Sequence, residues 1–166
     1  MAEAVVNRIA ASLKTEFGVV GKPCCTKNLP ISGGEVGGSQ QLQAFIAEKA
    51  EQGVKAGLTK EEATYLAKHY GSNVEKVYEY VAQANDTMPK ALFAQLQYGI
   101  EHELVAHPVD FFIRRTGNLF FNIASVKAHK DAVVQHMAQQ LGWSNEQYTL
   151  FTEQLNNEIM RATTAI

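Results

Sequence analysis

Apolar residues recur at helical spacing along most of the chain. The N-terminal stretch places Val5, Ile9, Leu13 and Phe17 four residues apart, which predicts an amphipathic helix ended by Gly18. The same spacing predicts further helices that carry Leu42, Phe45 and Ile46; Ala63, Leu66 and Ala67; Val74, Val77, Tyr78 and Val81; Leu92, Leu96 and Ile100, with Phe93 and Leu104 flanking the same face; Val126, Val133, Val134, Met137 and Leu141; and Leu150, Phe151, Leu155 and Ile159. No alternation of apolar and polar residues between hairpin turns accompanies them, so the pattern indicates an all-α fold.

Several residue patterns predict where these helices begin and end. Thr59–Glu62 and Ser144–Gln147 each have the sequence of a capping box, in which two side chains satisfy free backbone N–H groups. Ser39 is predicted to cap the helix that carries Leu42. Pro108 is predicted to close one helix and to be the first residue of the next. The Leu119–Phe121 segment is ambiguous between helix and strand.

The helical pattern stops between residues 19 and 38. The helix breakers there are Pro23, Pro30, Gly33, Gly34, Gly37 and Gly38, which predict an extended connector. We therefore expect a compact multi-helix domain over residues 39–166. An amphipathic helix and a Gly/Pro-rich connector, over residues 1–38, precede it.

Composition and charge restrict the function classes. The chain has 166 residues, 46% of them hydrophobic, and a formal net charge of -2, which is ordinary for a folded domain. This balance argues against a nucleic-acid binder, which needs a basic surplus to displace counterions. The sequence has no run of about 18 apolar residues and no apolar signal-peptide core, so we expect a cytoplasmic protein.

No metal or phosphate site follows from the sequence. His102 and His107 are five residues apart, which leaves them about 140° apart on a helix, whereas the zinc-protease motif needs a spacing of four. Cys24 and Cys25 are too few ligands for structural zinc and are predicted to be reduced thiols. The Gly33–Gly38 stretch lacks the lysine and the preceding strand of a phosphate-binding loop, so a bent connector is the better interpretation.

Two adjacent arginines follow the aromatic trio Phe111–Ile113. Arg114 lies four residues after Asp110, so the two are predicted to form an ion pair on one helical face. Arg115 diverges from Arg114 by about 100° and should serve a different partner. Three large aromatic residues are predicted to pack in the core or at helix boundaries: Tyr78, Tyr80 and Trp143. Spacing alone identifies no catalytic set of residues.

Several segments, in this order, resemble one known family. They are Cys25–Gly34, His69–Asn73, Glu101–Glu103, Pro108–Thr116 and Met137–Trp143. Together they are similar to the C-terminal part of the FAD-dependent glycerol-3-phosphate dehydrogenases and oxidases. The most specific parts are Tyr-Gly-Ser-Asn at residues 70–73 and Asp-Phe-Phe-Ile-Arg-Arg-Thr at residues 110–116. The resemblance covers nearly the whole chain.

The resemblance implies a small helical domain appended to a large flavin-binding and substrate-binding body. Members oxidise sn-glycerol 3-phosphate to dihydroxyacetone phosphate by hydride transfer to FAD. Electrons then pass to a membrane quinone in the dehydrogenases, or to oxygen in the oxidases, giving hydrogen peroxide. The Leu29–Gly38 stretch looks most like oxidase-type members, which favours an oxidase. The implied partners are the FAD-binding body, a homo-oligomer and, for the full-length enzyme, the inner face of the cell membrane.

The resemblance assigns no functional residue to this chain. No position here matches the family's flavin-proximal lysine, its phosphate-binding arginines or its dinucleotide fingerprint. We therefore predict that this chain contains no catalytic, cofactor-binding or metal-binding residue. The chain alone is expected to bind no FAD and to be inactive. The apolar stripe of the first helix is predicted to belong against the absent body. In its absence we expect the stripe to pack against another copy or its own domain. The alternative is a free-standing helical protein-interaction module.

Overall fold

A computed structural model describes residues 2–164, and this part of the chain contains helices and no β-strand. The α-helices are α1 (Ala2–Phe17), α2 (Leu42–Lys55), α3 (Lys60–Tyr70), α4 (Val74–Val81), α5 (Lys90–His102), α6 (Asn118–Phe121), α7 (Ile123–Leu141) and α8 (Asn145–Thr163). Short 3-10 turns cover Thr26–Asn28 and Gly71–Asn73, and a π-helix covers Asp110–Arg115. The predicted all-α fold is confirmed.

The chain divides into two compact units between Ser32 and Gly33. In the first unit, α1 ends where Gly18 takes a positive φ of 68° and donates its N–H to the Lys14 carbonyl. The predicted apolar stripe is present and exposed, with Ile9 at 54% and Phe17 at 71% of full exposure. What covers this stripe stays a prediction. So does the division of the chain after residue 38.

The core of the second unit consists of two apolar clusters that share α5. One cluster joins α2, α3 and α4 to the Ala94 and Tyr98 side of α5. The other joins Leu92, Phe93 and Leu96 of α5 to the π-helix, α6, α7 and α8. All eight residues from Leu92 to Gly99 are buried, as expected of a helix surrounded by neighbours on every side.

Local signals locate most helix ends correctly. Both capping boxes form: Thr59 and Ser144 accept the N–H groups of Glu62 and Gln147, whose side chains accept in return. Each side chain thereby satisfies a backbone donor that the first helical turn leaves free. The predicted helix end at Gly142 is also confirmed, since this residue has the left-handed φ of 64° typical of a helix terminus.

Two predicted boundaries are wrong. Ser39 does not cap α2. It lies in a turn in which the Gln41 N–H donates to the Gly38 carbonyl, and the helix begins at Leu42 without a side-chain cap. The α5 helix ends at His102, before Pro108, because Leu104 adopts a left-handed φ of 56° that no helix can contain. Pro108 does begin the next helical turn.

The remaining segments that the sequence singled out are helical or packed. The ambiguous Leu119–Phe121 segment lies in α6. Tyr78 is buried and donates its hydroxyl to the Ala63 carbonyl. Tyr80 is also buried, and Trp143 packs edge-on against Phe151. The predicted packing roles of these three aromatic residues are confirmed.

Candidate functional site

The Tyr-Gly-Ser-Asn motif binds the glycine-rich connector. The Ser72 N–H donates to the Gly33 carbonyl at 3.0 Å, and the Glu35 N–H donates to the Ser72 hydroxyl at 3.3 Å. Gly71 lies against the same carbonyl, so closely that a Cβ there would come 2.0 Å from the Gly33 oxygen. A Cβ at Gly33, in turn, would come 2.7 Å from the Tyr70 oxygen. Both glycines are therefore required for close backbone approach.

A second set of contacts links α3 to the end of the π-helix and the end of α5. The His69 Nε2 donates to the Arg115 carbonyl at 2.9 Å. The Arg115 guanidinium donates to the Glu103 carbonyl at 2.8 Å and lies 3.6 Å from the Glu103 carboxylate. His69 immediately precedes the connector-binding motif. Three of the segments that carry the family resemblance thus meet in one place.

The π-helix divides its aromatic and charged residues between core and surface. Phe111 and Phe112 are fully buried, at 0% exposure, in the core cluster that joins α5 to α6, α7 and α8. Arg114 donates to the Asp110 carboxylate, which confirms the predicted ion pair. Arg115 bonds Glu103 instead, so the two arginines serve different partners as predicted. A π-helix has a wider turn than an α-helix and occurs often at functional sites.

A cavity of about 500 Å³ lies between the π-helix and α8. Asp110 lies on its wall, where it also meets the His107 Nδ1 at 3.3 Å. On the opposite wall Arg161 donates to Glu158 at 2.8 Å. Both arginines of the cavity, Arg114 and Arg161, therefore already have carboxylate partners. This arrangement is suited to holding the two elements together.

A chain of partly buried polar side chains joins α4, α5 and α7. The Tyr80 hydroxyl donates to Glu101 at 2.6 Å, and the Gln97 amide donates to the other Glu101 oxygen at 2.6 Å. The His136 Nε2 lies 2.7 Å from the Gln97 amide oxygen, to which it donates. Within residues 2–164, every buried side-chain nitrogen and oxygen has a hydrogen-bond partner. The chain of bonds is thus fully satisfied, which favours a structural role.

The protonation of this chain follows from its contacts. Burial raises the pKa of Tyr80 to about 12, and its bond to Glu101 acts in the same direction. The Tyr80 bond, with that of Gln97, lowers the pKa of the Glu101 carboxyl. Burial lowers the pKa of His136 by disfavouring its charged form. At neutral pH the chain therefore contains a neutral phenol, a carboxylate and a neutral imidazole.

The state of His136 predicts a pH dependence of stability. Because its pKa is lowered in the folded chain, the unfolded chain takes up the proton first, and the free energy of unfolding falls as pH drops below about 6.5. We expect urea unfolding to show a steeper loss of stability between about pH 7.5 and about pH 5.5 in the wild type than in His136→Gln. Gln140→Ala, a substitution of an exposed residue on the same helix, should keep the wild-type slope. Parallel curves for wild type and His136→Gln would contradict this assignment.

The residues considered for metal binding lie apart. His102 bonds the Tyr80 hydroxyl at 3.0 Å, whereas His107 meets Asp110 and packs edge-on against Phe151. The thiols of Cys24 and Cys25 are exposed, and a bond to Thr26 lowers the pKa of Cys24. Across residues 2–164 no three His, Cys, Asp or Glu side chains are grouped so that they could hold a metal ion.

The sequence predicted some of these contacts and missed others. Asp110 and Arg114 are four residues apart on one helix, so their pair could be predicted. The bond between His136 and Gln97 joins residues 39 positions apart, and that between His69 and Arg115 joins residues 46 apart. No local pattern signals such pairs. The available hint was the i, i+4 spacing of Gln97 and Glu101 on one predicted helix.

Within the described residues, no helix combines the length and apolar character needed to cross a membrane.

Comparisons with known proteins agree on one family. Residues 24–148 match the family described as the C-terminal domain of alpha-glycerophosphate oxidase. The aerobic glycerol-3-phosphate dehydrogenase of Bacillus subtilis (strain 168) is 43% identical over 161 residues, which are 94% of this chain and 29% of that protein. The enzyme of the same name from Staphylococcus haemolyticus is 42% identical over 166 residues, 98% of this chain and 30% of that protein.

A solved structure shows the same fold. It is the glycerol-3-phosphate dehydrogenase from Bacillus halodurans complexed with FAD, which superposes with a TM-score of 0.87 at 38% identity. The match covers 99% of this chain and 34% of the solved chain. The chain therefore spans about a third of the length of the proteins it resembles. It belongs to the family of C-terminal domains found in alpha-glycerophosphate oxidase and its glycerol-3-phosphate dehydrogenase relatives.

Proposed function

We propose that this chain is the helical accessory domain of an FAD-dependent enzyme that oxidises sn-glycerol 3-phosphate to dihydroxyacetone phosphate. The observation that carries the proposal is the match of nearly the whole chain to about a third of a glycerol-3-phosphate dehydrogenase complexed with FAD. In this proposal, FAD supplies the hydride acceptor and is held by the flavin-binding body. The domain supports that body.

The residues of the chain do not fit FAD. A flavin dinucleotide is usually held by backbone N–H groups in the turn between a β-strand and a helix, and residues 2–164 contain no strand. The glycine-rich connector already uses its backbone on the domain, since the Glu35 N–H and the Gly33 carbonyl both bond Ser72. Tertiary contacts thus account for the motif residues, and we assign the domain no chemical step.

The proposal predicts that the domain is inactive alone and functional when joined to a flavin-binding body. Residues 1–166, incubated with FAD and passed through a desalting column, should retain no flavin absorption band and should not oxidise glycerol 3-phosphate. A hybrid in which they replace the matched region of the Bacillus subtilis enzyme should retain FAD and oxidise the substrate. The Bacillus subtilis enzyme truncated before this region should retain less FAD and oxidise the substrate more slowly, because the hydrophobic surface left uncovered destabilises it.

Two outcomes would overturn this proposal. One is stoichiometric FAD binding by residues 1–166 alone. The other is a hybrid that remains folded but is no more active than the truncated enzyme. The full-length Bacillus subtilis enzyme, purified alongside, is the control for flavin content and activity.

For the electron acceptor we propose oxygen, on the likeness of the Leu29–Gly38 stretch to oxidase-type members. The quinone-linked alternative, with peripheral membrane association, is favoured by the relatives named aerobic glycerol-3-phosphate dehydrogenase. Because the acceptor reacts at the flavin, the native enzyme that contains this domain is the one to assay. Hydrogen peroxide formed in proportion to substrate supports the oxidase, and reduction of an added quinone without peroxide supports the dehydrogenase.

A further inference from the structure

Leu104 combines two unfavourable features. Its φ of 56° makes it the one non-glycine residue with a positive φ within residues 2–164, and a branched side chain is strained in that region. Its side chain is also 91% exposed, so it contributes nothing to the core. A residue that is both strained and exposed adds nothing to the stability of the isolated domain, and its geometry is explained if the side chain contacts a partner.

The strained backbone at Leu104 is held in place by the contacts around it. The Arg115 guanidinium bonds the carbonyl of the preceding residue, Glu103, while the Glu103 and Val105 N–H groups both donate to the Gly99 carbonyl. Val105 is buried at 2% exposure and anchors the other side. The fold therefore fixes Leu104 in an outward position.

A series of contacts links exposed aromatic and cationic side chains to Arg115, which bonds the residue before Leu104. His69 bonds the Arg115 carbonyl, and its ring stacks on Tyr65 with 5.6 Å between the centroids. Phe121, 90% exposed, packs beside Gly117, two residues after Arg115. We call this the Leu104 face, made of Tyr65, His69, Leu104, Arg115 and Phe121. Tyr, Phe and Arg are the residue types enriched in the cores of protein interfaces.

The Leu104 face adjoins the place where the connector enters the domain. Residues 70–72 follow His69 directly, and they bind Gly33 and Glu35. Gly33, the first residue of the second unit, is therefore fixed next to His69 of this face. In the relatives the matched region is 29% to 34% of the whole protein, so a body about twice as large as this domain is tethered nearby.

We propose that the Leu104 face is the docking surface for the flavin-binding body, with Leu104 as its central anchor. This inference rests on the proposed function. Because the body and the domain belong to one polypeptide in the relatives, docking is intramolecular, which raises the effective concentration of the body at the domain. Contact with the body compensates for the strain and exposure of Leu104.

Surface labelling tests the docking. Residues 1–166 and the hybrid with the Bacillus subtilis body are exposed to hydroxyl radicals, and side-chain oxidation is measured by mass spectrometry. Oxidation of Leu104, Tyr65 and Phe121 should fall several-fold in the hybrid. Leu150, which is 50% exposed on α8, is the internal reference and should be oxidised equally in both. Equal labelling of Leu104 in the two proteins would overturn the proposal.

Leu104→Gly distinguishes docking from a merely structural role, because it should change the melting temperature of the domain in opposite directions in residues 1–166 and in the hybrid. In residues 1–166 the substitution relieves the strain, so the melting temperature should rise. In the hybrid it removes the anchor, so the domain should melt separately from the body, at a lower temperature than in the unmodified hybrid. Leu150→Gly on α8 should destabilise both proteins equally. A rise in both settings for Leu104→Gly would refute the anchor.

Two further outcomes are separable. Vesicles of phosphatidylglycerol and phosphatidylethanolamine can be added to residues 1–166 before labelling. If the vesicles protect Leu104 and Phe121 from oxidation, whereas joining the body in the hybrid gives no protection, the face binds lipid and the docking proposal fails. If the hybrid retains FAD and activity but leaves the Leu104 face unprotected, the proposed function stands and this inference alone is wrong.

Discussion

Replacing Gly71 with alanine is expected to lower the free energy of unfolding by about 3 kcal/mol. The new Cβ would lie 2.0 Å from the Gly33 carbonyl oxygen, so the connector must move away and the Ser72–Gly33 hydrogen bond must break. Gly71 also has φ 53° and ψ -131°, a backbone conformation that glycine alone adopts readily. Urea denaturation measures the loss, and faster hydrogen exchange of the Ser72 amide reports detachment of the connector.

Gly142→Ala is the matched control for this prediction. Gly142 has a similar φ of 64°, but a Cβ there would have nothing within 4 Å. The control therefore measures left-handed strain alone, which costs about 1 kcal/mol. Equal losses for the two variants would mean that close approach to Gly33 contributes no stability, and our account of the Tyr-Gly-Ser-Asn motif would be wrong.

Phe112→Ala is expected to destabilise the domain by about 3–5 kcal/mol. The Phe112 ring has 0% exposure and lies in the core cluster that joins α5, the π-helix, α6, α7 and α8. Truncation leaves a cavity that the surrounding helices can fill only in part. The midpoint of urea unfolding, analysed at constant m-value, provides the measurement.

Phe121→Ala makes the same chemical change at a surface position of the next helix. Because Phe121 is 90% exposed, its loss should alter the stability of residues 1–166 by about 0.5 kcal/mol or less. A Phe112→Ala loss as small as this would show that the π-helix does not anchor the core. It would also remove the physical basis for reading the Asp-Phe-Phe-Ile-Arg-Arg-Thr segment as a core motif with a charged outer edge.

The features that the sequence predicted well are those determined by residues close in the chain. The capping boxes at Thr59 and Ser144 are closed by side chains three residues away. The Asp110–Arg114 pair spans one helical turn. In each case the interaction forms inside a single element, so the spacing of residues is enough to identify it.

The features that the sequence missed depend on tertiary structure. Pro108 suggested the wrong end for α5 because the chain leaves the helix earlier, at Leu104, where bonds from Arg115 and Val105 hold a left-handed residue in place. Ser39 has the right chemistry for a helix cap, but Gly38 directs the chain into a turn. The candidate site itself joins residues from distant segments, which a family resemblance can identify and a local pattern cannot.

The position of α5 has a consequence for how the second unit can be divided. Because both apolar clusters draw side chains from this one helix, neither half retains a complete interior without it. A polypeptide nicked between α4 and α5 would leave the second cluster complete in the C-terminal piece, whereas the N-terminal piece would lose Ala94 and Tyr98 from its interior and should become ordered only on recombination.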